Sequence, residues 1–167
     1  MKKTNKLVLA GIFIMVVFFG KKLFNKYHLP KMTFGNAKFI DIATKKTIKI
    51  DDFKGQVIFV SFFQTWCGDC AKETPILNKL AQNINSPKLK IIYITDEPYS
   101  KIISFKNRFD SNHITFMQST KPLIDLGIHV YPTTFLIDEN GNVLKTKLEG
   151  YNWLNEETLI RKLISQL

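Results

Sequence analysis

Cysteine is scarce in this chain: two residues in 167, separated by only two positions. So small a supply excludes a disulfide framework and a four-cysteine metal site. Histidine is nearly as sparse, and His28, His113 and His129 show none of the paired spacing that would complete a zinc site. No internal repeat or low-complexity tract is present, which sets aside a repeat architecture. Acidic residues are missing altogether from residues 1–31, where seven lysines fall. The formal charge of +10 is therefore mostly a property of the leader, and residues 32–167 carry only +3. That part holds no Lys/Arg-rich helix with interleaved aromatics, so nucleic acid is not an expected partner.

Between Lys6 and Lys21, LVLAGIFIMVVFFG runs for 14 residues without a charge or a polar side chain. As a helix it would reach roughly 21 Å against the ~30 Å hydrocarbon core, but flanking lysines can snorkel and Leu23 and Phe24 can extend it. The small residues of a cleavage site are not in place, since Phe18 stands two positions before Gly20. An uncleaved signal anchor and tether over residues 1–31 is the expectation. Lysines flank the run on both sides, so the positive-inside rule does not decide orientation. Basic-then-apolar leaders generally export the domain attached to them, which puts residues 32–167 outside the cytoplasm as the domain of a single-pass membrane protein. These 136 residues suffice for one domain with its own core.

From Met32 onward the pattern alternates between strand and helix. Ala37–Ile40 and Thr47–Ile50 read as a hairpin, followed by a turn at DDFKG. Val57–Phe63 is a near-continuous β-branched and aromatic run, expected at the centre of the sheet and buried on both faces. Helical spacing of Ile76, Leu77, Leu80 and Ala81 predicts a helix from Cys67 to about Asn83, and Leu89–Thr95 is a second buried strand. A helix at Ser100–Arg108, a strand at Ile114–Met117 and a helical turn at Pro122–Leu126 come next. Thr133–Asp138 and Val143–Leu148 form a hairpin across Asn140–Gly141. Asn155 is the expected cap of a last helix through Leu167, with Glu156 and Glu157 in its first turn. The whole predicts an α/β fold: a mixed central sheet flanked by helices on both faces.

The two cysteines occupy the junction of a buried strand and a helix, in FFQTW-Cys67-Gly68-Asp69-Cys70-AKETP. A sulfur in the first turn of a helix meets unpaired backbone N–H groups and the positive end of the dipole, which favours its thiolate. Cys70 lies one turn on, within disulfide reach. Cys67 is then the attacking nucleophile and Cys70 the resolving thiol. Two other chemistries use such residues: a metal-binding or copper-delivery module built from Cys67, Cys70 and His129, and a peroxidase. The peroxidase would want Thr or Ser three positions before its cysteine, where this chain has Gln64.

KGQVIFVSFFQTWCGDCAKETP and VYPTTFLIDENGNV together resemble the TlpA/ResA-like thioredoxin-fold proteins, which are membrane-tethered thiol:disulfide oxidoreductases. The likeness extends over most of residues 33–167. It implies a thioredoxin-like fold with an inserted helix–strand unit, and protein disulfides as substrates. It also implies an upstream membrane dithiol donor, no cofactor, and cytochrome c maturation as one use. By the same resemblance, Pro132 is the cis-proline facing the cysteines, and Tyr131 offers backbone groups to an extended substrate. Glu73 resembles the active-site glutamate, Pro75 a helix-kinking proline, and Trp66 a hydrophobic lid over the cysteines. Two departures stand out. Asp69 replaces the common proline before the second cysteine, and Ser61 occupies the place of the buried acid in plain thioredoxins, leaving Glu73 as its replacement.

Overall fold

The computed structural model describes residues 37–167 apart from Asp110. The expected anchor, its tether and the start of the domain at Met32 lie outside the described residues. Among those described, seven strands make one mixed sheet: β1 (Phe39–Asp41), β2 (Thr47–Ile48), β3 (Val57–Phe62), β4 (Leu89–Thr95), β5 (Ile114–Ser119), β6 (Thr133–Ile137) and β7 (Val143–Leu148), in the order β2-β1-β5-β4-β3-β6-β7. Three α-helices accompany them: α1 (Gly68–Ile84), α2 (Tyr99–Arg108) and α3 (Glu157–Ser165). β4, rather than the expected Val57–Phe63 run, stands in the middle. The expected helix–strand insertion is α2 with β5, and β5 enters the sheet between β1 and β4.

Strand alternation sorts the core into two faces. Val57, Phe59, Ile91, Tyr93, Ile114 and Phe116 point to one side, where Leu77 and Leu80 of α1, Ile102 and Phe105 of α2, and Ile160 of α3 pack on them. Ile58, Val60, Phe62, Ile92, Ile94 and Met117 point to the other, where they meet Ile50, Leu123 and Ile128. All three described α-helices thus cover a single face. Helices on both faces were expected, but the second face is met by the 3-10 turns Ile50–Phe53 and Leu123–Leu126. A doubly buried strand reports only that both sides are covered, and a 3-10 turn covers a strand as well as a helix does.

Register fixes where the ends of the strands meet. β3 is parallel to β4 and antiparallel to β6, with Phe62 opposite Thr133. The chain leaving β3 toward Cys67 therefore emerges beside the chain entering β6 from Pro132. The amino-terminal hairpin is shorter than expected because Asp41 closes its turn, its Oδ1 accepting from the N–H groups of Ala43 at 2.8 Å and Thr44 at 2.9 Å. At the other end Asn152, not Asn155, caps the entry, its side chain accepting from the Leu154 N–H at 3.2 Å. A 3-10 turn over Trp153–Glu156 then leads into α3. The shift arises from Trp153, which is fully buried and packs edge-on against Phe59 with ring centroids 4.9 Å apart.

Phe59 touches this aromatic anchor from the sheet, whereas Ile124 is 60% exposed on the 3-10 turn after β5. Phe59→Ala is expected to cost about 3–5 kcal/mol, and Ile124→Ala no more than about 0.5 kcal/mol, measured as urea midpoints of the oxidised protein. Equal losses would contradict the placement of the core.

Candidate active site

Cys67 is the N-cap of α1, in extended backbone conformation, and Cys70 lies in the first turn. The Cys70 N–H points at Cys67 Sγ, 3.1 Å away, so one of the helix's unpaired donors is aimed at that sulfur. The two cysteines are joined as a disulfide, with Cα atoms 5.3 Å apart. Cys67 retains 8% exposure and Cys70 none, so an attacking or attacked partner reaches Cys67 first.

The Tyr131–Pro132 peptide bond is cis, as the resemblance implies. The carbonyl oxygen of Tyr131 lies 3.4 Å from Cys67 Sγ. The carbonyl of Pro132 accepts from the Glu149 N–H at 2.9 Å, which ties this segment to the chain after β7. Trp66 lies beside this segment. It is 71% exposed, with its ring edge-on to Tyr131 and centroids 6.1 Å apart. Asp69 is turned to solvent and pairs with Lys72 at 2.9 Å, a neighbour that offsets its negative charge beside the sulfur pair.

Glu73 is the deepest charged group described at the site, at 1% exposure, one turn beyond Cys70 on the inner face of α1. Its Oε1 accepts from Trp153 Nε1 at 2.8 Å, and its Oε2 from Ser61 Oγ and Thr134 Oγ1, both at 3.1 Å. Burial raises its pKa from 4.5 to about 7, working against these three hydrogen bonds, which lower it. Tyr93 is fully buried, and burial with the Glu73 charge nearby pushes its pKa well up. A cleft of about 220 Å³ lined by Asp69, Lys72, Glu73, Ile76, Gly150 and Tyr151 approaches the carboxylate from outside.

The structure thus brings Cys67, Cys70, Tyr131 and Pro132 together, sets Glu73 behind the helix turn, and leaves Trp66 at the rim. Trp153 and Thr134 were not anticipated. No local pattern announces them, because each reaches Glu73 only through tertiary packing, 80 and 61 residues away in the chain. His129 is exposed, and no group of three or more His, Cys, Asp or Glu among the described residues is arranged to hold a metal ion.

A strand-to-helix disulfide facing a cis-proline, on a sheet of this order, defines a thioredoxin-like thiol–disulfide oxidoreductase. Residues 29–162 match the Redoxin family model, and the chain belongs to that family. It is similar to the thiol-disulfide oxidoreductase ResA of Bacillus cereus, at 30% identity over 89% of this chain and 96% of the relative. ResA of Bacillus subtilis is 25% identical over 87% and 86% of the two chains. Among solved structures, a putative protein disulfide isomerase from Bacteroides thetaiotaomicron matches with a TM-score of 0.66 at 20% identity, covering 82% of this chain and 90% of that one. A putative thiol:disulfide interchange protein DsbE from Chlorobium tepidum gives 0.62 at 19%, covering 77% and 90%. At these identities the two structures speak for the fold.

Because the folded-state pKa of Glu73 lies above its unfolded value, the native state binds the extra proton between about pH 4.5 and pH 7. Its burial costs nothing below that window and roughly 3 kcal/mol above it. Stability of the oxidised protein is therefore expected to fall across this window as pH rises, and Glu73→Gln to flatten that slope. Trp153→Phe, which removes a donor to the anion, is expected to leave the start of the fall in place and extend its upper end to higher pH. Denaturant titrations at a series of pH values check both; an unchanged slope in Glu73→Gln would assign the dependence elsewhere.

Proposed function

We propose that this protein reduces disulfides of extended polypeptides outside the cytoplasm, held to the membrane by residues 1–31. The observation that carries the reading is the Tyr131 carbonyl 3.4 Å from the more accessible sulfur, Cys67, next to a cis-proline. Backbone groups there suit a substrate strand laid beside the sulfur, as in strand addition. Apolar residues 7–20 between lysines support the membrane attachment. Among the described residues no helix is long and apolar enough to cross a membrane.

In the reduced protein, the Cys67 thiolate attacks one sulfur of the substrate disulfide. The S–S bond breaks, and the departing substrate thiolate takes up a proton. Glu73, with a pKa about 7, accepts the proton of Cys70. The Cys70 thiolate then attacks Cys67 Sγ and releases the second substrate thiolate. Two electrons have passed to the substrate, and the protein is left with the Cys67–Cys70 disulfide. A dithiol donor on the membrane restores it, and apocytochrome c, which must present reduced cysteines, is one fitting substrate.

Cys67→Ser is expected to abolish reduction of a disulfide-bonded peptide. Cys70→Ala should instead accumulate a mixed disulfide on Cys67, seen by mass spectrometry. Full activity in Cys67→Ser would end the assignment. Topology is read separately: a membrane-impermeant thiol reagent should label reduced Cys67 in intact cells, whereas labelling only after lysis would place the domain on the cytoplasmic side.

A further inference from the structure

A second polar cluster stands at the carboxyl ends of β4 and β5, apart from the cysteine pair and from the Glu73 network. Asp96 directly succeeds β4. Its Oδ1 accepts from Gln64 Nε2 at 2.7 Å, and its Oδ2 from the Leu123 N–H at 2.9 Å. Gln64 is buried and stands three residues before Cys67, on the loop that delivers the sulfur. Leu123 is fully buried and opens the 3-10 turn from which the chain runs on to Tyr131 and Pro132. One carboxylate therefore joins the two segments that form the two sides of the site. Glu97 beside it accepts from both the N–H and the hydroxyl of Thr65 and pairs with Lys101, so it holds the cysteine loop toward α2. Hydrogen bonds to a carboxylate are among the stronger ones, and neither carboxylate has a part in the thiol chemistry.

We propose that Asp96 is a positioning residue that fixes the cysteine loop against the cis-proline segment and thereby makes the site selective for extended peptide disulfides over small ones. A small disulfide needs only the sulfur of Cys67. An extended peptide must meet Cys67 Sγ and the Tyr131 backbone at once, and those atoms belong to the two segments that Asp96 joins. A displacement of about 1 Å between such groups costs on the order of 10²-fold in rate. The inference rests on the reductase reading above, and the two fail in different ways.

The test uses the full chain in detergent, reduced beforehand, with two substrates: a disulfide-bonded extended peptide and the small aromatic disulfide 5,5′-dithiobis(2-nitrobenzoate). Asp96→Ala is expected to lower the second-order rate constant for single-turnover reduction of the peptide about 10- to 100-fold, chiefly by raising the peptide concentration at which the rate is half-maximal, and to leave the rate with the small disulfide within about twofold. Asp96→Asn should retain most of the peptide activity, because its oxygen can serve the Leu123 N–H while its amide meets the Gln64 oxygen. Gln64→Met breaks the same bridge from the cysteine side and should reproduce the split even where Asp96→Ala does not fold. Equal losses on both substrates, or an undiminished peptide rate in Asp96→Ala and Gln64→Met, would overturn the inference. A wild-type protein that reduces neither disulfide would overturn the reductase reading and this inference with it.

Discussion

A carboxylate in the core is the constraint around which this domain is organised. Glu73 is buried between α1 and the sheet, and three hydrogen bonds reach it from three other parts of the chain: Ser61 in β3, Thr134 in β6 and Trp153 ahead of α3. Burial of an ionised carboxylate is unfavourable unless it is well partnered, and here the partners are neutral donors. They stabilise the anion without a cation to hold it permanently charged. The result is a group that exchanges its proton near neutrality within one helical turn of Cys70. Packing and chemistry meet in one residue, since Trp153, which seals the core against Phe59, also donates to Glu73.

The cysteine pair depends on the same scaffold from the other side. Antiparallel pairing of β3 with β6 brings the exit of one strand alongside the entry of the other. The N-cap position of Cys67 and the carbonyl of Tyr131 then fall within 3.4 Å of each other although 64 residues separate them. Asp69, a departure from the common pattern, is drawn to Lys72 on the exposed side of α1. The more electrostatically consequential acid is therefore the buried one.

Much of the domain was legible from local pattern. The doubly buried runs at Val57 and Leu89, the helix after the cysteines and the Asn-Gly hairpin all appear with nearly the expected bounds, because each depends on residues near one another in sequence. The two cysteines and Pro132 were equally visible as motifs. What escaped was set by distant packing: the shared face of the three helices, the cap at Asn152, and the reach of Trp153 and Thr134 to Glu73. The edge-on contact of Trp66 with Tyr131 was hidden for a related reason, because adjacency to Cys67 in sequence says nothing about which way an indole turns. Asp96 and Glu97 left a faint signal, two acids immediately beyond the end of a buried strand, at the edge where α/β sheets gather their sites.

The inserted pair of α2 and β5 has a consequence for the order of the sheet. It moves the amino-terminal hairpin outward, so that β1 pairs with β5 rather than with a strand of the active-site hub. The β1–β5 and β4–β5 ladders therefore lie between the hairpin and the strands of the site. β3 and β6, which carry the cysteine loop and the cis-proline, stand beyond both. The insertion thus sets β1 three strands from β3, so that the hairpin forms no ladder with either of the two strands that carry the site.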